Sequence, residues 1–314
     1  MRNIIAQNKI LFSLRDDLML KNIWFTGTGN FAALCLENLI NNGLNFSKII
    51  TGLPTRSGRN GKENPSAVEL KAVSLGLKAE RTGKLNENEN LLSELENNAP
   101  DLIFVIDFGQ IIKEPFLNAP KFGCLNIHPS LLPEYRGAAP IQRALLDGKN
   151  YTGVSVFRLV KAMDAGGILA QEKFLIPEDF NASDLYCELS KTGSKIAAEA
   201  VEKNNFTLTP QDDSLATYAE KLNKKDFELS QSMTAEKFCN TVRALDMSGG
   251  AFMMINNKRV KIWRAKIHKE NSKNPVISCS DLSVELIEVQ SEGKKRTSGE
   301  EWARGLRLKD MNIL

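Results

Sequence analysis

The chain has 314 residues, 42% hydrophobic and 25% charged, with a formal net charge of +3. This is the composition of a globular protein long enough for about two domains, and no apolar run nears the roughly 18 residues of a membrane span. The five cysteines, at 35, 124, 187, 239 and 279, form no C-x-x-C pair, which argues against a zinc knuckle or a disulfide framework and fits a reducing cytoplasm.

Residues 1–18, MRNIIAQNKILFSLRDDL, carry an early arginine and a short apolar run but no small-residue cleavage site, so a signal peptide fits poorly. Residues 1–19 read as a loose arm or an over-long start, with Met19 as the other initiator. KNIWFT (21–26) reads as a buried strand, followed by Gly27-Thr28-Gly29 and an amphipathic helix to about Asn41. A short strand is expected over 48–51. Asn64-Pro65 is expected to open a helix, with asparagine as N-cap and proline at the first helical position. A helix over about 87–98 and the apolar strand DLIFVI (101–106) follow, then the strand FGCLNIH (122–128) and a helix starting near Pro140. Continuous apolar strands alternating with helices predict an α/β fold whose sheet is mostly parallel. TGVSVFRLV (152–160) and ILAQEKFLI (168–176), joined by KAMDAGG, suit a hairpin, so the sheet is expected to turn partly antiparallel there. A long helix over about 182–203 closes a first domain, 20–205. Residues 206–221 read as a linker. A helix near 234–245 and strands at 251–256, 259–267 and 283–289 make 222–314 a small β-rich unit, with a barrel as one form.

Charge is unevenly spread. Residues 221–314 hold 18 Lys and Arg against 12 Asp and Glu, whereas residues 1–220 hold 23 against 26. A polyanionic partner for the basic tail is one reading and ordinary surface charge the other.

G27-x-G29-x-x-A32 has the placement of a dinucleotide fingerprint, but the second strand ends in Thr51-Gly52, not the acidic residue that would hold a ribose. Asp107-Phe108-Gly109 lacks the companion motifs of a kinase. More telling are Asn126 and His128, spaced i and i+2 on one face of a strand that ends where open α/β sheets bind ligands. Asp164, at the hairpin end, could return beside them. An amide, an imidazole and a carboxylate suit acyl-type transfer: one donates to a developing oxyanion, one moves protons, and one orients the imidazole. Cys124 reads as a small buried hydrophobe, so the nucleophile is expected to belong to the substrate. No third ligand of the usual type stands near for a metal. Arg56, Arg59 and Lys62 in LPTRSGRNGKEN (53–64) form either a solvated loop or a phosphate clamp.

NIHPSLLPEYRGAAPIQRAL followed by AMDAGGILAQE strongly resembles the methionyl-tRNA formyltransferase branch of the folate-dependent formyltransferases. The resemblance runs from about Leu20 to Leu308 and takes in TPQDDSLATYAEKL, VKIWRA and EGKKR. It implies a Rossmann-like catalytic domain followed by an OB-like domain. Asn126, His128 and Asp164 are implied as catalytic, and Ser130, Leu131, Leu132 and Pro133 as folate contacts. It further implies tRNA contacts by Arg56, Arg59 and Lys62 in the 53–64 loop and by Lys294, Lys295 and Arg296 in the basic tail. The implied co-substrate is 10-formyltetrahydrofolate, without a metal, and the acceptor is charged initiator methionyl-tRNA, in a cytoplasmic monomer. The other readings are a formyltransferase for a sugar-nucleotide or small amine, and a tRNA- or folate-binding protein without turnover. The sequence departs from the family pattern at Gly29 (usually proline), Asp107-Phe108-Gly109 (Ala-Tyr-Gly) and Gly167 (acidic). It departs again in the 53–64 loop, in DMSGGAF (Pro-Trp-Pro) and near 271–274.

Overall fold

The first apolar run forms strand β1 (Ile23–Gly27), buried along its whole length. The structure is a computed structural model that describes residues 20–57, 62–269 and 272–305, so the expected arm at 1–19 lies outside the described residues. Helix α1 (Asn30–Asn41) follows, burying Phe31, Ala32, Cys35, Leu36 and Leu39 at the three-to-four spacing of one helical face. Next come β2 (Lys48–Gly52) and a short antiparallel hairpin of β3 (Thr55–Ser57) and β4 (Lys62–Asn64). Helix α2 (Ala67–Ser74), strand β5 (Glu80–Thr82), helix α3 (Glu89–Asn97), β6 (Leu102–Ile106) and β7 (Cys124–His128) complete this half. Asn64 is not the cap of α2. It ends β4 opposite Thr55, and the cap is Ser66, whose hydroxyl accepts from the Glu69 N–H at 2.9 Å. Pro65 biases the residue before it toward extended backbone, which suits a strand end.

After β8 (Arg136–Gly137) and α4 (Pro140–Leu146), strands β9 (Tyr151–Arg158) and β10 (Ile168–Leu175) lead to α5 (Ala182–Glu202). The main sheet has the order β10-β9-β7-β6-β1-β2-β5. From β7 to β5 neighbouring strands are parallel, and β9 runs antiparallel to β7, so the expected change of direction occurs. The loops after β1, β6 and β7 therefore share one edge of the sheet. Phe25, Ile50, Phe104 and Leu125 fill the core beneath that edge. Helix α5 lies against the face of β7 and β9 that carries Ile127 and Val154, and so closely that a Cβ on Gly193 would stand 2.4 and 2.7 Å from their side chains. Asn126 and His128 point to the other face.

Contacts divide the chain into two compact units. The first runs to Glu134 and takes in Gly153–Lys173 and Cys187–Ala216. Much of the stretch read as a linker is packed into it: Phe206 stacks on Phe122 at 4.1 Å, and Thr209 pairs with Ile168 in an antiparallel bridge. The second comprises Tyr135–Thr152, Phe174–Tyr186 and the chain from Thr217 on. Here β11 (Tyr218–Ala219) pairs with β8, and α6 (Ala235–Ala244) precedes β12 (Ala251–Ile255), β13 (Lys258–Ile267), β14 (Val276–Ser278), β15 (Ser283–Ser291), β16 (Thr297–Ser298) and α7 (Gly299–Gly305). The sheet order is β12-β13-β15-β14, with β16 on β15, antiparallel throughout and with a register shift in β13 between Ile262 and Ala265. Arg143 of α4 joins this unit through a two-pronged pair with Asp226, both contacts at 2.9 Å. Among the described residues no helix is long and apolar enough to cross a membrane.

Candidate active site

Strand β7 builds the site. Its antiparallel register sets Asn126 opposite Phe157 and His128 opposite Ser155, so all four side chains share one face. His128 is 5% exposed, with its ring edge-to-face against Phe157 at 6.3 Å, while Asn126 is only partly buried. The turn between β9 and β10 brings Asp164 back to this face. Its Oδ2 stands 3.9 Å from His128 Nδ1, the range of an ion pair, beyond that of a direct hydrogen bond. Asp164 adopts a φ of +50°, a backbone region that non-glycine residues enter at a cost of about 1–3 kcal/mol and that clusters at functional sites. The His128–Asp164 approach joins positions 36 residues apart in sequence.

The segment after His128 folds back on itself. The Ser130 N–H donates to the His128 carbonyl at 2.8 Å, and the Ser130 hydroxyl donates to the Glu134 carbonyl at 2.6 Å. Strand β9 supplies the rest of the seat. The fully buried Ser155 hydroxyl donates to the Ser130 carbonyl (2.6 Å) and accepts from the Leu132 N–H (3.0 Å) and from Gln171 Nε2 (2.8 Å). Gln171 Nε2 also donates to the Leu132 carbonyl at 2.7 Å. Gly153 makes room for Leu131, since a Cβ there would come within 2.4 Å of its side chain. Ser130 and Leu132 are thereby buried, at 1% and 3% exposure, and accessible surface passes to Leu131 and Pro133. Ile111, beyond the end of β6, is 75% exposed.

Sequence reasoning missed Ser155, although it carries the same signal as Asn126 and His128: a polar residue inside the apolar run TGVSVF. Ser155→Ala strands the buried Leu132 N–H and Ser130 carbonyl. The expected result is a loss of about 1–3 kcal/mol in urea unfolding, and an unchanged denaturation curve would remove Ser155 from this role.

Cys124 is buried, its thiol pushed up to about 12 by desolvation, with Arg158 opposing, as befits a hydrophobic packing residue and not a nucleophile. Among the described residues no group of three or more His, Cys, Asp or Glu could hold a metal. In the β3–β4 hairpin Arg56 is exposed, 3.5 Å from Glu63, and Lys62 begins β4; Arg59 lies outside the described residues. In the second unit Lys294 and Lys295 are exposed between β15 and β16. The Arg296 guanidinium lies over the Trp263 ring at 3.3 Å, with Lys261 5.5 Å from the same ring, and Arg259 lies over Phe252 at 3.7 Å. The two guanidinium groups are planar cations braced on aromatic faces.

Residues 20–201 match the family model described as formyl transferase, and residues 221–307 match the formyl transferase C-terminal domain. A methionyl-tRNA formyltransferase of Caldicellulosiruptor saccharolyticus is 35% identical over 93% of this chain and 99% of its own length. The chain belongs to the methionyl-tRNA formyltransferase family. The methionyl-tRNA formyltransferase structure from Clostridium thermocellum aligns with a TM-score of 0.56 at 18% identity, over 89% of this chain and all of that one. HypX from Aquifex aeolicus in complex with tetrahydrofolic acid aligns with a TM-score of 0.61 at 17% identity, over 92% of this chain and 48% of that one. At such identities the two structures speak for the fold of this formyltransferase.

Proposed function

We propose that this chain transfers the formyl group of 10-formyltetrahydrofolate to the methionine amine of charged initiator tRNA. The observation that carries the reading is the meeting of His128 and Asp164 on the face that also bears Asn126, at the ligand-binding edge of the sheet. The amine nitrogen attacks the formyl carbon, so that a C–N bond forms and the oxygen becomes an oxyanion. The Asn126 amide and the His128 imidazole donate to that oxygen. Asp164 complements positive charge on the imidazole and fixes its orientation. As the bond from the formyl carbon to the folate nitrogen breaks, the proton lost by the amine passes to that nitrogen. Ser130–Pro133, seated on β9, offers Leu131 and Pro133 to the folate. For the tRNA, the hairpin cation Arg56 and the aromatic-braced Arg296, with Lys294 and Lys295 beside it, supply positive charge toward phosphates.

The test is formylation of charged initiator tRNA supplied with 10-formyltetrahydrofolate, with free methionine, uncharged tRNA and an amino-sugar nucleotide as controls. Product with the charged tRNA alone is expected. Product with the amino-sugar nucleotide and none with tRNA would replace the acceptor.

A further inference from the structure

The glutamine of TPQDDSLATYAEKL, Gln211, reaches the turn that carries Asp164. Gln211 Nε2 donates to the Asp164 carbonyl at 2.8 Å and to the Gly166 carbonyl at 2.7 Å. Both carbonyls belong to the turn that delivers the Asp164 side chain. Two residues earlier, Thr209 and Ile168 exchange N–H···O bonds at 2.8 Å in each direction, which lines the segment up beside the start of β10.

The turn needs such a brace. Asp164 sits at φ +50°, where a non-glycine backbone relaxes unless its surroundings hold it. On its inner side the turn is pressed against β9: a Cβ on Gly166 would stand 1.7 Å from the Arg158 carbonyl, and the Arg158 N–H donates to the Gly167 carbonyl at 2.9 Å. Gln211 adds one amide that spans the carbonyls of the two residues on either side of Ala165. A primary amide suits this task because its nitrogen carries two N–H donors on one planar group.

We infer that Gln211 is a positioning residue, which holds the Asp164 turn in its left-handed conformation and so sets the carboxylate against His128. The inference rests on the catalytic roles proposed above. It also assigns the segment read as a linker a part in the chemistry of the first unit.

The test uses the full chain with Gln211→Glu, which keeps the shape and removes both donors, and Gln211→Leu as a second variant free of added charge. Both are assayed with charged initiator tRNA and 10-formyltetrahydrofolate. The expected result is a kcat at least tenfold lower with each KM within threefold of the parent. Combining either change with Asp164→Asn should slow the chain little beyond Asp164→Asn alone, because a residue that acts through Asp164 has nothing left to position. Hydrogen exchange of the 160–168 peptide should speed up in both variants, a readout that needs no turnover. A kcat within twofold of the parent, losses that multiply with Asp164→Asn, or unchanged exchange would each overturn the inference. A parent chain that does not formylate the tRNA would instead sink the proposed function, and the exchange measurement would still decide whether Gln211 braces the turn.

Discussion

Asn126→Ala is expected to turn over charged initiator tRNA about 10²–10³-fold more slowly than the parent chain, with folate binding and the unfolding midpoint unchanged. That is the usual cost of removing one oxyanion donor from a preorganised site. Stability should hold because the Asn126 amide is only partly buried and is no part of the apolar packing around Ile127 and Val154. His128→Ala should lose at least as much activity. The double variant should fall well short of the product of the two losses if both groups serve one oxygen, as proposed. The measurement is single-turnover formyl transfer beside a direct folate-binding titration. Rates within a few-fold of the parent for either single variant would remove that residue from the chemistry. A loss confined to KM would make it a binding group.

Much of this was legible in the sequence, for reasons that differ from element to element. Strand β6, a run of five buried apolar residues, and helix α1, with its clean three-to-four spacing, need only periodicity. The two polar residues of β7 were legible because an apolar strand advertises any exception to itself. Short elements were not. Strands β5, β8, β11, β14 and β16 span two or three residues each, too few for a period to show, and exist because a neighbouring strand supplies their hydrogen bonds. The 53–64 stretch read as a polar loop for the same reason, yet Thr55–Ser57 pairs with Lys62–Asn64. The basic EGKKR block was visible as charge. That Arg296 lies on Trp263, 33 positions earlier, depends on how β13 and β15 pair, with Trp263 Nε1 donating to Gln290 at 3.1 Å, which no local pattern encodes.

Two departures from the family pattern, Gly29 and Asp107, prove to be one. Helix α1 has no side-chain cap of its own at Gly29. The Asp107 carboxylate, arriving from the end of β6, lies close enough to the backbone N–H groups of Phe31 and Ala32 for them to favour its charged form, and the Asp107 carbonyl accepts from those of Thr28 and Gly29 at 3.0 Å. A Cβ on residue 29 would stand 1.8 Å from Asp107 Oδ2, and every atom it would meet most closely belongs to that carboxylate. The backbone of Gly29 is ordinary extended chain, so nothing else forbids a side chain there. Gly29→Ala is therefore expected to cost about 1–3 kcal/mol in urea unfolding, the price of overpacking a held group. In an Asp107→Gly background the same change should be neutral or stabilising by about 0.4–1 kcal/mol, since alanine restricts the unfolded chain. An equal cost in both backgrounds would separate the two positions. The pair also carries a pH signature. Burial raises the Asp107 carboxyl to about 6, with the two helix N–H groups opposing the rise. Between about pH 4 and 6 the folded chain keeps a proton that the unfolded chain has released. The contribution of this group to stability thus falls as pH rises through that window and is flat above it, by on the order of 3 kcal/mol in all. Asp212, Asp226 and Glu285, whose carboxyls are held below their ordinary range, act in the opposite sense and mask the fall in the parent chain. The difference between the parent and Asp107→Asn isolates it. That difference should shift in favour of the asparagine variant as the pH is raised from 4 to 6, and a constant difference would mean that the carboxylate is not desolvated beneath helix α1.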